Sequence, residues 1–274
     1  MNRRVFAYPY VVWMVILIVA PMILVFYYAL TGEADAQTVF TLEHVLKAFD
    51  PTYLGVLWRS VELALVSTVI CLILGYPIAY ILSRMPARKA AVYSVLFLVP
   101  MWMNFLLRTY AWLVLLDNNG LINKILEAVG IGGVQFLYNS DAVVLGMVYN
   151  FLPFMVLPIY SVLVKMNGSY IEAAQDLGAT PRQVFSKVIF PLSLPGVVSG
   201  ITMVFVPAIT TFAISRLLGG SQFMLYGDLI ENSFIYVNDW NFGSALSIIL
   251  MVLVLISMAV MRKFEGKDEE IRLW

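Results

Sequence analysis

Side chains that commonly do chemistry are scarce in this sequence. A single histidine, His44, and a single cysteine, Cys71, stand among 274 residues. That is too few for a zinc or haem ligand set or for any disulfide, so no metal site is expected. No Gly-x-x-x-x-Gly-Lys-Ser/Thr loop is present to cradle nucleotide phosphates, no His-Glu-x-x-His, and no Gly-x-Ser-x-Gly elbow. What remains are polar and aromatic side chains inside long apolar runs: Asn104, Arg108 and Tyr110; Tyr149 and Asn150; Thr210 and Thr211; and Glu62 at the edge of another run. An ionisable group at membrane depth is costly to bury and therefore reads as a candidate site. Asn104 and Arg108 are four apart and share a face of a continuous helix. For Arg108 two readings stand: contact with a solute, or snorkelling to the interface with its guanidinium paired to a loop acid. Trp102 and Trp112 suit interfacial belts and packing, Cys71 a small buried hydrophobe, and His44 a solvated side chain.

The elements that must position these groups are membrane helices. Hydrophobic residues make up 61% of the chain and charged residues 12%, about half the charged share of a soluble domain, which excludes a water-soluble enzyme. Six stretches meet the roughly 20-residue requirement for crossing hydrocarbon: 8–30, 61–82, 91–116, 142–164, 196–215 and 244–261. The expected fold is all-α, one polytopic domain of six transmembrane helices over residues 1–274. With both termini inside, twelve of the seventeen Lys and Arg fall on the inner side and four (Lys47, Arg59, Lys124, Arg216) outside, so the positive-inside rule selects that orientation. Acids lean outward, giving an outer face near −7 and an inner face near +6. Such an outer vestibule concentrates cations, although acids left behind by the positive-inside rule would give the same count. Arg3-Arg4-Val5-Phe6 and Ala34-Asp35-Ala36 resemble a twin-arginine start and a cleavage site. The apolar run between them is too long for a signal peptide, so it is read as a retained first span.

Pro21, Pro77, Pro100, Pro153, Pro158 and Pro207 fall within the spans. Each removes a backbone donor and is expected to kink its helix. Gly196-Val197-Val198-Ser199-Gly200 would let the fifth span approach another helix closely.

Segment 167–195, on the inner side between the fourth and fifth spans, differs from the rest. Ser169-Tyr170-Ile171-Glu172 fits a capping box, and Gly178 is placed to end the helix that follows. Thr180-Pro181-Arg182-Gln183 reads as a second helix start, stopping before Pro191. Two short helices outside the membrane are therefore expected. The first has Ile171, Ala174 and Leu177 on one side and Glu172 and Asp176 on the other, like charges that a basic groove on a partner would relieve.

The run Glu172-Ala173-Ala174, then Gly178, then Val188-Ile189-Phe190-Pro191 resembles the EAA loop of ABC importer permeases: Glu-Ala-Ala, three residues, Gly, nine residues, Ile-x-Leu-Pro. Val188 and Phe190 replace the Ile and Leu of that pattern. From 40 to 261 the chain also resembles the first of the two permease subunits of spermidine/putrescine importers. The stretches that carry this are Pro100–Asn104 with Arg108-Thr109-Tyr110, Tyr149–Phe154, Glu172–Thr180 and Asp239–Gly243.

The resemblance implies a type I importer permease in the bacterial cytoplasmic membrane, with a core over 55–262. Its partners would be a second permease, a dimer of ATPase subunits that bind ATP and Mg, and an extracytoplasmic substrate-binding protein. Surrounding lipid is implied, and no nucleic acid and no cofactor on this chain. Glu172, Ala173, Ala174, Asp176, Gly178, Arg182 and Pro191 would couple to the ATPase. For a polyamine the lining would be carboxylates and aromatic faces: Glu62, Trp102, Asn104, Tyr110, Tyr149, Asn150, Asp228 and Glu231. Iron, sulfate or phosphate importers are the alternatives within the class. A secondary transporter would show paired discontinuous helices instead, and a membrane enzyme would need a catalytic constellation that is absent.

Overall fold

Apolar length sets the architecture. The computed structural model describes residues 8–34, 37–130, 132–220 and 223–265. Among these, five helices are long and apolar enough to cross a membrane, and six if one sharply bent pair counts as a single span. Span 1 runs through Tyr8–Met14, a π turn Val15–Val19, and Ala20–Ala29. Span 2 is Pro51–Arg84, span 4 Ser140–Lys165, span 5 Pro181–Thr210 and span 6 Trp240–Glu265. Span 3 is the bent pair, Ala87–Leu98 with a 3-10 turn Val99–Trp102, then Phe105–Ala128, the latter made of Phe105–Leu116 and Leu121–Ala128. We call the end carrying residues 85–86 and 166–180 the near end and the opposite one the far end. The stretches Arg3–Phe6 and Asp35-Ala36 lie outside the described residues.

Span 4 is the axis. In its most apolar window 61% of residues are buried inside the chain, against 6% for span 1. Met147, Met155, Val156 and Ile159 of span 4 are fully buried against spans 2 and 5. The glycine pair of span 5 makes that packing possible. A Cβ on Gly196 would lie 2.9 Å from the Pro158 carbonyl oxygen, and one on Gly200 2.8 Å from Met155 Sδ. Cys71 is buried as expected of a small hydrophobe, its Sγ facing the Val148 carbonyl. Span 1 touches chiefly span 6, where Asn241 Nδ2 donates to the Tyr28 and Thr31 carbonyls.

Four expectations are corrected. Span 2 begins ten residues earlier than read, because Pro51 opens a helix that carries Arg59 and Ser60 ahead of the apolar run. Glu62 therefore lies within the helix and not at its end. The third span is not continuous: its two pieces meet at 88°, with Pro100 inside the 3-10 turn. Asn104 and Arg108 thus do not share a mid-span face; Asn104 is the N-cap of the second piece, its Oδ1 accepting from Leu106 N–H at 2.8 Å. Span 5 stops at Thr210 and not at 215, where Thr211 turns extended. A short antiparallel ribbon, Thr31–Ala34 with Gln37–Phe40, was missed beside the all-α reading.

The prolines act differently from one another. Spans 2 and 4 continue as helices through Pro77, Pro153 and Pro158. Pro21 and Pro191 each follow a π turn by two residues. In both turns the residue before the proline bonds five residues back, Ala20 N–H to Val15 O and Phe190 N–H to Phe185 O. The widened turn moves the carbonyl that the proline ring would otherwise strike. This is why the helix starting at Pro181 does not stop before Pro191, as the sequence suggested, but runs into span 5.

Replacing Gly200 by leucine forces spans 4 and 5 apart. Thermal unfolding in detergent should show a loss of about 1–3 kcal/mol, the usual cost of overpacking.

Candidate functional site

The near-end loop is built from its caps. Helix Ser169–Asp176 does not use Ser169 as cap; Ser169 is its first residue, and Asn167 Oδ1 accepts the Ser169 N–H at 3.1 Å. The predicted box with Glu172 is therefore not formed, because the asparagine two residues earlier satisfies the turn first. Gly178 ends the helix at φ +82°. Ala179 N–H bonds Ala174 O and Gly178 N–H bonds Gln175 O, the paired bonds of a Schellman stop. The second box forms as expected: Gln183 N–H donates to Thr180 Oγ1, and Thr180 N–H to Gln183 Oε1.

Ile171, Ala174 and Ala179 pack toward the bundle. Leu177 does not join them, since the glycine stop turns it outward to 89% exposure. Tyr170, Ala173 and Leu177 instead form an exposed strip bordered by Glu172 and Asp176. Arg182 and Pro191 are exposed beside it.

This loop is joined to span 2 through aromatic rings. Phe185 in the π turn meets Tyr76 and Tyr80 edge-on, with centroids 5.7 and 5.9 Å apart, and Phe190 lies 5.7 Å from Tyr76. The guanidinium of Arg84 covers Tyr80. Ser193 Oγ donates to the Phe190 carbonyl at 2.8 Å. With that proton committed, the 2.8 Å contact between Tyr76 and Ser193 is a bond donated by the tyrosine hydroxyl. Nothing in the pattern of one segment signalled this link, because its two halves are 117 residues apart.

The other candidates scatter. Glu62 is exposed on the face of span 2 that also shows Trp58, Leu65, Val66 and Val69. Trp102, Asn104 and Tyr110 are exposed at and beyond the break in span 3. Tyr149 meets Trp112 edge-on at 5.4 Å. It also lines, with Arg108, a cavity of about 600 Å³ between spans 2, 3 and 4. Asn150 is buried, its Nδ2 donating to the Gly146 carbonyl at 2.9 Å. Arg108 is buried without an acid partner among the described residues, so the snorkelled pair with a loop acid is not formed.

Asp228 and Glu231 come together at the far end. The start of helix Tyr226–Ile235 passes over the break after Thr210. A Cβ on Gly227 would lie 2.6 and 2.8 Å from the Thr211 and Thr210 carbonyl oxygens, so only glycine lets the chain pass there. Tyr226 N–H donates to Ser60 Oγ of span 2 at 2.8 Å. Asp228 is buried and caps the helix Tyr226–Ile235, its Oδ2 accepting the Leu225 N–H at 2.9 Å. Burial raises its pKa to about 6, against the lowering effect of the Ser215 and Leu225 hydrogen bonds. Glu231 bridges Arg216 at 2.8 Å, and that guanidinium lies over the Tyr236 ring. Asn123, which sequence reasoning passed over, ties the far-end loop between spans 3 and 4 by bonds to Asp117 O, Val134 O and Val134 N–H.

A kinked helical bundle with a capped, outward-facing loop between its fourth and fifth spans defines a class of transport permease. Residues 72–267 match the binding-protein-dependent transport system inner membrane component family, and the chain belongs to it. It is 36% identical over 247 residues to the spermidine/putrescine transport system permease protein PotB of Escherichia coli K12, covering 88% of this chain and 90% of that protein. Its fold is similar to a chain of a bacterial ABC transporter involved in the import of the acidic polysaccharide alginate. There the TM-score is 0.80 at 16% identity, with 95% and 94% of the two chains covered. The same fold occurs in that alginate transporter in complex with a pentasaccharide-bound periplasmic protein, with a TM-score of 0.76 at 15% identity over 97% and 94% of the chains.

Because the Asp228 pKa is raised, the folded chain holds this proton more tightly than the unfolded chain. Stability from this site is therefore greatest below about pH 4 and falls as pH rises toward and through 6. Asp228→Asn keeps the acceptor for Leu225 and removes the titration. Thermal unfolding between pH 4.5 and 7.5 should show a shallower decline with rising pH for the variant than for the wild type.

Proposed function

We propose that this chain is the non-catalytic translocation subunit of an ATP-driven polyamine importer. In this reading both termini face the cytoplasm, so the near end is the cytoplasmic end. A second permease completes the pathway, a pair of ATPase subunits grips the near-end loop, and a binding protein delivers the solute at the far end. The observation that carries the proposal is the strip Tyr170, Ala173 and Leu177, apolar, solvent-facing, edged by Glu172 and Asp176, and covered by none of the described residues. Such a strip on a helix locked by caps at both ends suits docking into a groove with a basic rim. The similarity to PotB supports a polyamine as cargo.

Mechanically, the loop helix has few internal freedoms. The Schellman stop and the Thr180–Gln183 box fix it to the helix that becomes span 5. Movement imposed by nucleotide closure passes through the π turn to span 5 and, by way of Tyr76 and the Phe185 ring, to span 2. These spans exchange two packings, which is alternating access. Glu62, Trp102, Tyr110 and Tyr149 are the lining candidates that the fold leaves accessible on its own surface or in its cavity. Asn104, Asn150, Asp228 and Glu231 act on the same path by holding backbone and loop geometry around it.

Reconstitution of the complex in vesicles tests this reading. Leu177→Asp with Glu172→Lys should leave insertion of this chain unchanged, because both side chains are exposed. ATPase recovery and spermidine or putrescine uptake should fall at least tenfold, and wild-type uptake in the double variant would defeat the proposal. Uptake of sulfate or phosphate in place of a polyamine would overturn the cargo alone. Tyr76→Phe, which deletes one hydroxyl, should lower solute moved per ATP severalfold while ATP hydrolysis persists.

A further inference from the structure

Arg108 is a largely buried arginine with no acid partner among the described residues. It is 8% exposed, its Nε has no hydrogen-bond partner, and the ion pair found among the described residues is Arg216–Glu231. No acid stands among the side chains that wall its cavity; these include Ile78, Leu82, Phe97, Tyr149 and Leu152. Among the described residues, three candidate carboxylates are engaged or turned away. Asp228 holds a backbone N–H, Glu231 holds Arg216, and Glu62 faces out from span 2. A guanidinium does not relieve its burial by shedding a proton, as a lysine or histidine would. An anion from another molecule would satisfy it.

We propose that Arg108 receives a carboxylate carried on a membrane helix of the second permease subunit, seated across the mouth of the cavity between spans 2, 3 and 4. This rests on the reading of the chain as one of two paired permeases. Depth favours a side chain over a lipid headgroup. Tyr149, which shares the cavity with Arg108, is the tenth residue of span 4. It therefore lies about 14 Å from the far end at 1.5 Å per residue. The cavity runs from Met85 at the near end to Arg108 and Tyr149, so a phosphate anchored at that interface would have to be drawn along its length to reach the guanidinium, whereas a helix carries a carboxylate to that depth by its own length. The apolar cavity walls suit the rest of such a helix face.

The test uses the full chain, tagged and co-expressed with the second permease and the ATPase. Wild type and Arg108→Lys should recover the second permease on purification, and Arg108→Met should recover at least tenfold less. The Arg108→Met chain purified alone should unfold at the same or a higher temperature than the wild type, since it no longer buries a charge; a merely structural arginine would lower both readouts together. Changing a single Asp or Glu to its amide in the spans of the second permease should restore assembly with Arg108→Met and so identify the partner carboxylate. Failure of the wild type to recover any second permease would overturn the paired reading and this inference with it. Recovery by Arg108→Met at the wild-type level would overturn this inference alone. A loss reproduced in the wild type by depleting phosphatidylglycerol, with no restoring amide, would assign the site to lipid and refute the carboxylate.

Discussion

A peptide group freed inside hydrocarbon has no water to turn to, so every interruption of a membrane helix must be satisfied from within the protein. This chain interrupts its helices repeatedly and answers each break with a specific device. Pro21 and Pro191 are absorbed by π turns. The sharp bend of span 3 is restarted by the Asn104 side chain. The break at Thr210–Thr211 is covered by the far-end segment passing at Gly227.

The two ends of the bundle solve different problems with the same chemistry. At the near end Asn167, Thr180 and Gln183 cap the backbone from beside the loop helix, leaving the side chains along its outer strip exposed. At the far end side chains do the capping, with Asp228, Asn139 and Asp239 each accepting a helix N–H. There the polar groups are consumed in holding loops to spans. The contrast explains why acids such as Glu172 and Asp228, alike in the sequence, differ in what they can do for a partner. One is solvated and available; the other is buried and committed to the backbone, with a raised pKa as the consequence.

Aromatic packing links span 2 to the loop, while small residues bring spans 4 and 5 into contact. Tyr76, Tyr80, Phe185 and Phe190 provide a dense contact at the point where the loop becomes span 5. Gly196 and Gly200 provide backbone-to-backbone approach deeper in the bundle. A displacement of the loop therefore has a route to span 2 through ring edges and to span 4 through close helix packing. Span 1, joined chiefly to span 6, stands outside that route.

From the sequence alone one could read the six apolar runs, the glycine stop at Gly178, the Thr180–Gln183 box and the close approach at Gly196 and Gly200. Each depends on residues within a few positions of one another, where spacing and conformational preference are decisive. The early start of span 2, the bend at Pro100, the continuation through Pro191, the outward turn of Leu177 and the unpaired state of Arg108 were not legible. Those outcomes depend on groups distant in the chain, such as Ser60 bonding Tyr226 across 166 residues. Local spacing determined which segments become helices and where they are capped; three-dimensional packing alone decided which proline breaks a helix and which polar side chain is left with no partner, because both depend on what the rest of the chain brings alongside.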